Sequence, residues 1–162
     1  EKANDTVFGL AGRQPEFRGM GTTLVGAFVQ GREASILNVG DSRAYLFDGE
    51  TLRQVSEDHS YVEEMRRLGR ISAEDARTHP QKNLITRAVG DLFEVELRDT
   101  DILLLCSDGL TGMVEDEKIA EVLAKAGTLE DKGRELLTLA LEGGGRDNIT
   151  VALFTRGAKQ EA

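Results

Sequence analysis

Three aspartates are the residues best placed to do chemistry. Asp41 lies in Asn38-Val39-Gly40-Asp41-Ser42-Arg43, Asp108 in Cys106-Ser107-Asp108-Gly109-Leu110, and Asp147 in Gly145-Arg146-Asp147-Asn148-Ile149. Each stands at a glycine-containing bend beside an apolar run of strand composition. A carboxylate at the end of a core strand projects from a rigid scaffold into a cleft mouth. Several such carboxylates repel unless they are protonated or bridged by a cation, and Mg²⁺ or Mn²⁺ is the usual bridge. Taken singly, each aspartate reads first as a turn or cap residue that accepts local backbone N–H groups. Position in the fold has to decide between the two.

The other reactive side chains are few. His59 is expected to be structural, in the turn after a hairpin. For His79, in His79-Pro80, two readings stay open: a helix-ending residue hydrogen-bonded locally, or a group that transfers a proton or touches substrate. Arg87 could meet a phosphate, but pairing with a carboxylate such as Asp91 or Glu94 is the favoured reading. Cys106, inside an apolar run, is expected to be an inert core thiol.

Composition bounds the partners. The chain has 162 residues and a formal net charge of −9, which lacks the basic footprint that phosphate neutralisation requires and argues against nucleic-acid binding. No apolar run approaches the roughly 20 residues of a membrane helix. The first residues lack the basic-then-apolar order of a secretory signal. A single cysteine precludes an internal disulfide, so a reducing, cytoplasmic setting is expected.

The elements that must position the aspartates follow from periodicity. Residues 1–12 predict a helix, with Ala3, Val7, Phe8 and Leu10-Ala11 available for burial and Gly12 as its stop. Leu24 to Val29 and Ala34 to Val39 predict strands. Ala44 to Phe47 and Leu52 to Val55 predict a hairpin about Asp48-Gly49-Glu50. Val62, Met65 and Leu68 predict a helix closed by Gly69, and Ser72 caps a second that ends at His79-Pro80. Leu84 to Val89 is apolar enough to return to the core. Ile102 to Cys106 predicts a fully buried strand. Helices follow over 116–126 and from Thr128 to the Gly143-Gly144-Gly145 stop, and Ile149 to Phe154 is the last strand. Strands early and helices late predict an α+β class with helices on sheet faces.

Seven motifs then occur in order: Arg18-Gly19-Met20-Gly21-Thr22-Thr23, Val39-Gly40-Asp41-Ser42-Arg43, Asp58-His59-Ser60, His79-Pro80-Gln81, Leu84-Ile85-Thr86-Arg87-Ala88, Ser107-Asp108-Gly109-Leu110 and Gly144-Gly145-Arg146-Asp147-Asn148. The set resembles the metal-dependent protein phosphatases of the PPM family (type 2C), in the short bacterial branch. The resemblance implies an α-β-β-α sandwich of two mostly antiparallel sheets flanked by helices. It implies removal of phosphate from phosphoserine and phosphothreonine by a water activated at a two-metal Mn²⁺ or Mg²⁺ centre, with no catalytic side-chain nucleophile. Asp108 and Asp147 match ligands of that centre. Asp41 matches the aspartate that, with Asp108, holds a third, weaker ion, and Asn148 matches a residue bracing the loop of its neighbour. Residues 58–89 resemble a flap beside the active site, with His79 inside it. Partners implied are phosphoserine and phosphothreonine proteins, the substrates of a eukaryote-like Ser/Thr kinase.

The resemblance also sets expectations about what is missing. Bacterial members begin with an Arg-x-x-Asn-Glu-Asp segment and a Val-Ala-Asp-Gly-Met-Gly-Gly-His segment, and this chain contains neither. Those segments carry a phosphate-binding arginine, a bridging aspartate and a histidine, and they supply strands. Residues 1–162 are therefore expected to be one N-terminally incomplete domain with little activity alone and a tendency to dimerise through exposed strand edges. The alternative is a degenerate, non-catalytic domain that binds phosphoproteins or a kinase.

Overall fold

The computed structural model describes residues 2–81, 84, 86 and 90–157. Its elements are α1 (Lys2–Arg13), a 3-10 turn (Pro15–Phe17), β1 (Leu24–Gln30), β2 (Glu33–Val39), β3 (Arg43–Phe47), β4 (Leu52–Gln54), α2 (Tyr61–Arg67), α3 (Ala73–Thr78), β5 (Asp91–Glu96), β6 (Ile102–Cys106), α4 (Asp108–Thr111), α5 (Asp116–Ala124), α6 (Leu129–Glu142) and β7 (Val151–Phe154).

The strands form two antiparallel sheets, one in the order β1-β2-β5 and the other β4-β3-β6-β7. Strand alternation divides the apolar residues between two cores. Tyr45 and Phe47 of β3, paired with Leu104 and Ile102 of β6, face α5 and α6, where they meet Ile119, Val122, Leu136 and Ala140. Ala44 and Leu46, with Leu103 and Leu105, face the other way, toward Ala34 and Ile36 of β2 and Phe93 and Val95 of β5. β6 is buried on both sides, which is why Ile102-Leu103-Leu104-Leu105-Cys106 is continuously apolar rather than alternating. This is the α+β arrangement of stacked sheets and helices expected. The outer face of the three-stranded sheet carries exposed Leu24, Phe28, Leu37 and Leu92.

Several boundaries differ from expectation. α1 runs through Gly12 to Arg13 because Gln14 N–H still donates to the Leu10 carbonyl, and Pro15 then ends it. Ala3 and Phe8 are exposed, and only Val7, Leu10 and Ala11 of its apolar residues are half-buried. β5 was not expected: its Phe93 and Val95 face the inter-sheet core while Leu92 stays outside. α5 stops at Ala124, two residues early, because Lys132 reaches back from α6 and donates its ammonium protons to the carbonyls of Leu123 and Lys125. Ser72 and Thr128 open their helices as expected, and in both the hydroxyl accepts from the backbone N–H three residues on. Arg87 and most of the Leu84–Val89 run lie outside the described residues.

Candidate metal centre

Sheet register brings the aspartates to one edge. Arg43 opens β3 opposite Cys106, which closes β6, and Cys106 pairs in turn with Val151, which opens β7. Asp41 lies two residues before that row, Asp108 two residues after it, and Asp147 four residues before it. Antiparallel pairing therefore delivers residues 41, 108 and 147 to the same end of the four-stranded sheet.

The loops holding Asp108 and Asp147 are clasped together. Ser107 Oγ donates to the Asn148 carbonyl at 2.9 Å and accepts from Thr150 N–H at 3.0 Å, and Ser107 N–H donates to the Thr150 carbonyl at 3.1 Å. Gly109 is required by this contact, since a Cβ there would collide with the Asn148 carbonyl. Asn148 braces its neighbour through its main chain, its N–H reaching Asp147 Oδ1 at 2.7 Å.

Asp41 and Asp108 are electrostatically coupled. Burial first, and then the Asp108 charge, raise the Asp41 carboxyl from its ordinary range to about 6. A divalent cation between them would remove that penalty, so this pair fits a hard cation. Among the described residues, no three acidic, histidine or cysteine side chains close into a ready-made cage. Asp147 is exposed and its Oδ1 is turned to its own loop.

The polar support beneath Asp41 was missed in the sequence. Arg43 binds Asp58 bidentately and donates to Tyr45 Oη at 3.0 Å, and Tyr45 donates to Asp116 Oδ1 at 3.2 Å. Gln54 adds a hydrogen bond to Asp58 Oδ1 at 2.9 Å. The available signal was an arginine opening a core strand, where an unpaired charge is untenable.

The histidines occupy different settings. His79 caps the end of α3, with Nδ1 accepting from Gln81 N–H at 3.1 Å and its ring 6.2 Å from that of Tyr61. His59 is buried, and Asp91 pairs with it at 3.1 Å. Cys106 is enclosed, and burial pushes its thiol up to about 12.

Comparison with known proteins identifies the family. The family described as Protein phosphatase 2C matches residues 7–141. The serine/threonine phosphatase stp of Listeria welshimeri is 44% identical over 99% of this chain and 67% of its own length. The crystal structure of serine/threonine phosphatase Stp1 from Staphylococcus aureus superimposes with a TM-score of 0.90 at 42% identity, over 95% of this chain and 63% of that one. The catalytic domain of the phosphatase PstP, solved in complex with two manganese ions, gives a TM-score of 0.81 at 35% identity, over 93% of this chain and 64% of that one. The chain thus spans about two thirds of the length of these relatives. It belongs to the protein phosphatase 2C family and is, by family, a metal-dependent serine/threonine protein phosphatase.

Proposed function

We propose that the full-length protein hydrolyses phosphoserine and phosphothreonine esters of other proteins, with Asp108 and Asp147 as ligands of a two-ion Mn²⁺ or Mg²⁺ centre. Asp41 joins Asp108 at a third, weaker ion. When bound, the ions supply an acidified water and neutralise the phosphoryl oxygens. This chain's own residues fix where the carboxylates stand: the Ser107–Asn148 clasp holds Asp108 beside the Asp147 loop, and Asn148 N–H orients Asp147. The observation that carries the reading is the register of β3, β6 and β7, which brings residues 41, 108 and 147 to one end of the four-stranded sheet, where burial and then the Asp108 charge raise the Asp41 carboxyl.

Residues 1–162 are read as one domain, and residues 58–89 as a flap that controls substrate access, with His79 in it. A hard divalent ion takes several oxygen ligands, more than these aspartates supply, so the 162 residues alone are expected to turn over little substrate. The phosphoproteins are assigned as substrates of a eukaryote-like Ser/Thr kinase in the cytoplasm. Pairing of two copies through outer strands such as β1 or β7 is part of the reading. The test is hydrolysis of a phosphothreonine peptide by the full-length protein with and without Mn²⁺. Metal-dependent turnover that falls about a thousandfold in Asp108→Ala supports the reading; turnover indifferent to Mn²⁺ and to that substitution refutes it.

A further inference from the structure

The bend before Asp41 is held more tightly than a loop requires. Gly40 has φ of +100°, and a Cβ there would strike the Thr23 side chain. Its carbonyl accepts from His59 N–H at 2.9 Å and from Asn38 Nδ2 at 3.3 Å. Its N–H donates to His59 Nδ1 at 3.3 Å. On the other side of Asp41, Ser42 Oγ is hydrogen-bonded to Thr23 Oγ1 at 2.8 Å. Asp41 is therefore flanked on both sides by residues fixed from elsewhere in the fold.

We propose that His59 is a positioning residue for the cation site at Asp41, acting through Gly40 as the acceptor of its N–H. Because Gly40 donates to Nδ1, the ring proton sits on Nε2, where it is donated to Asp91 Oδ2 at 3.1 Å. The side chain thus spans from the start of β5 to the Asp41 bend. The His59 carbonyl also accepts from Thr86 N–H at 2.8 Å, and Tyr61 N–H, two residues on, donates to the Leu84 carbonyl at 2.8 Å. One residue joins the segment leading into α2 to the backbone that aims Asp41. Asn38, fully buried, reinforces it by donating also to the Glu57 carbonyl at 3.0 Å.

The inference rests on the proposed cation role of Asp41, and the experiment separates the two. Mn²⁺ binding to the full-length protein is titrated by electron paramagnetic resonance, without substrate, for His59→Ala, His59→Asn, His59→Gln, Asp41→Asn and the His59→Ala/Asp41→Asn pair. Asparagine places Oδ1 near the position of Nδ1 and keeps the acceptor, whereas glutamine extends toward Nε2 and loses it. Expected are an affinity loss of about tenfold at the weakest ion for His59→Ala and His59→Gln, and recovery to within about twofold for His59→Asn. The alanine change should add nothing once Asp41 is replaced. If His59→Ala does not fold, the asparagine and glutamine variants decide. Wild-type Mn²⁺ affinity in His59→Gln, or equal losses in the asparagine and glutamine variants, overturns the role of His59. An unchanged titration for Asp41→Asn overturns instead the cation role of Asp41.

Discussion

The Arg43 guanidinium holds the Asp58 carboxylate bidentately, Nε donating to Oδ1 at 2.9 Å and to Oδ2 at 3.0 Å, and Nη2 to Oδ2 at 2.7 Å. Asp58 is almost wholly enclosed, and Arg43 keeps only its edge in solvent. Both charges act on the Asp41 carboxyl, Asp58 raising it and Arg43 lowering it, so the pair neighbours the site without belonging to it. Breaking it by Asp58→Ala leaves a largely buried guanidinium without its carboxylate and is expected to cost about 3 kcal/mol. The paired change Arg43→Met/Asp58→Leu removes both charges and is expected to cost less than Asp58→Ala alone. Urea unfolding midpoints check this ordering.

Gly109 tests the clasp between the Asp108 and Asp147 loops. Gly109→Ala puts a methyl group against the Asn148 carbonyl and forces β6 and β7 apart at the metal edge. The expected outcome is about 2 kcal/mol lost in unfolding free energy, with Mn²⁺ affinity falling alongside. Gly49→Ala has open space around it and is the control for added bulk. Its positive φ still costs something, but it should leave Mn²⁺ binding intact.

Asp41 makes the metal-free protein sensitive to pH. Its carboxyl titrates at about 6 when folded and near 3.8 when unfolded, so between those values the folded state alone holds the proton. Stability therefore falls as pH rises from 4 to 6 and stays reduced above that window. Asp41→Asn should raise the melting temperature of the metal-free protein at pH 7 by the equivalent of about 1 kcal/mol, allowing for solvent screening, and have no effect near pH 4. Saturating Mn²⁺ should reverse the order at pH 7. Calorimetric scans at both pH values, with and without the metal, check the sign.

Cys106 should behave as a core atom. With its thiol shifted up to about 12 by burial, it should resist iodoacetamide at pH 8 and react at once in urea. Mass spectrometry of the alkylated protein measures this directly.

Much of this was legible in the sequence, for identifiable reasons. β1, β2, β3, β6 and β7 each carry a short apolar run bounded by glycine or aspartate, and both capping boxes announce their helices. β5 is not legible because Leu92 faces outward beside inward Phe93, which spoils the alternation. The end of α5 depends on Lys132, nine residues beyond the carbonyl of Leu123, and no local pattern reports such a reach. The three aspartates were each visible, but their convergence is a property of antiparallel register among β3, β6 and β7. The Arg43–Asp58 pair and the His59 grip on Gly40 are long-range contacts that spacing does not encode.

Asp108, Asp147 and Asp41 are proposed to face divalent cations. Crystals of the full-length protein grown with Mn²⁺, with diffraction recorded at the manganese absorption edge, would locate the ions. Anomalous peaks within about 2.5 Å of carboxylate oxygens of Asp108 and Asp147, with a weaker one shared by Asp41 and Asp108, are the predicted result. Manganese peaks in the molecule that leave all three carboxylates without a metal neighbour would contradict it.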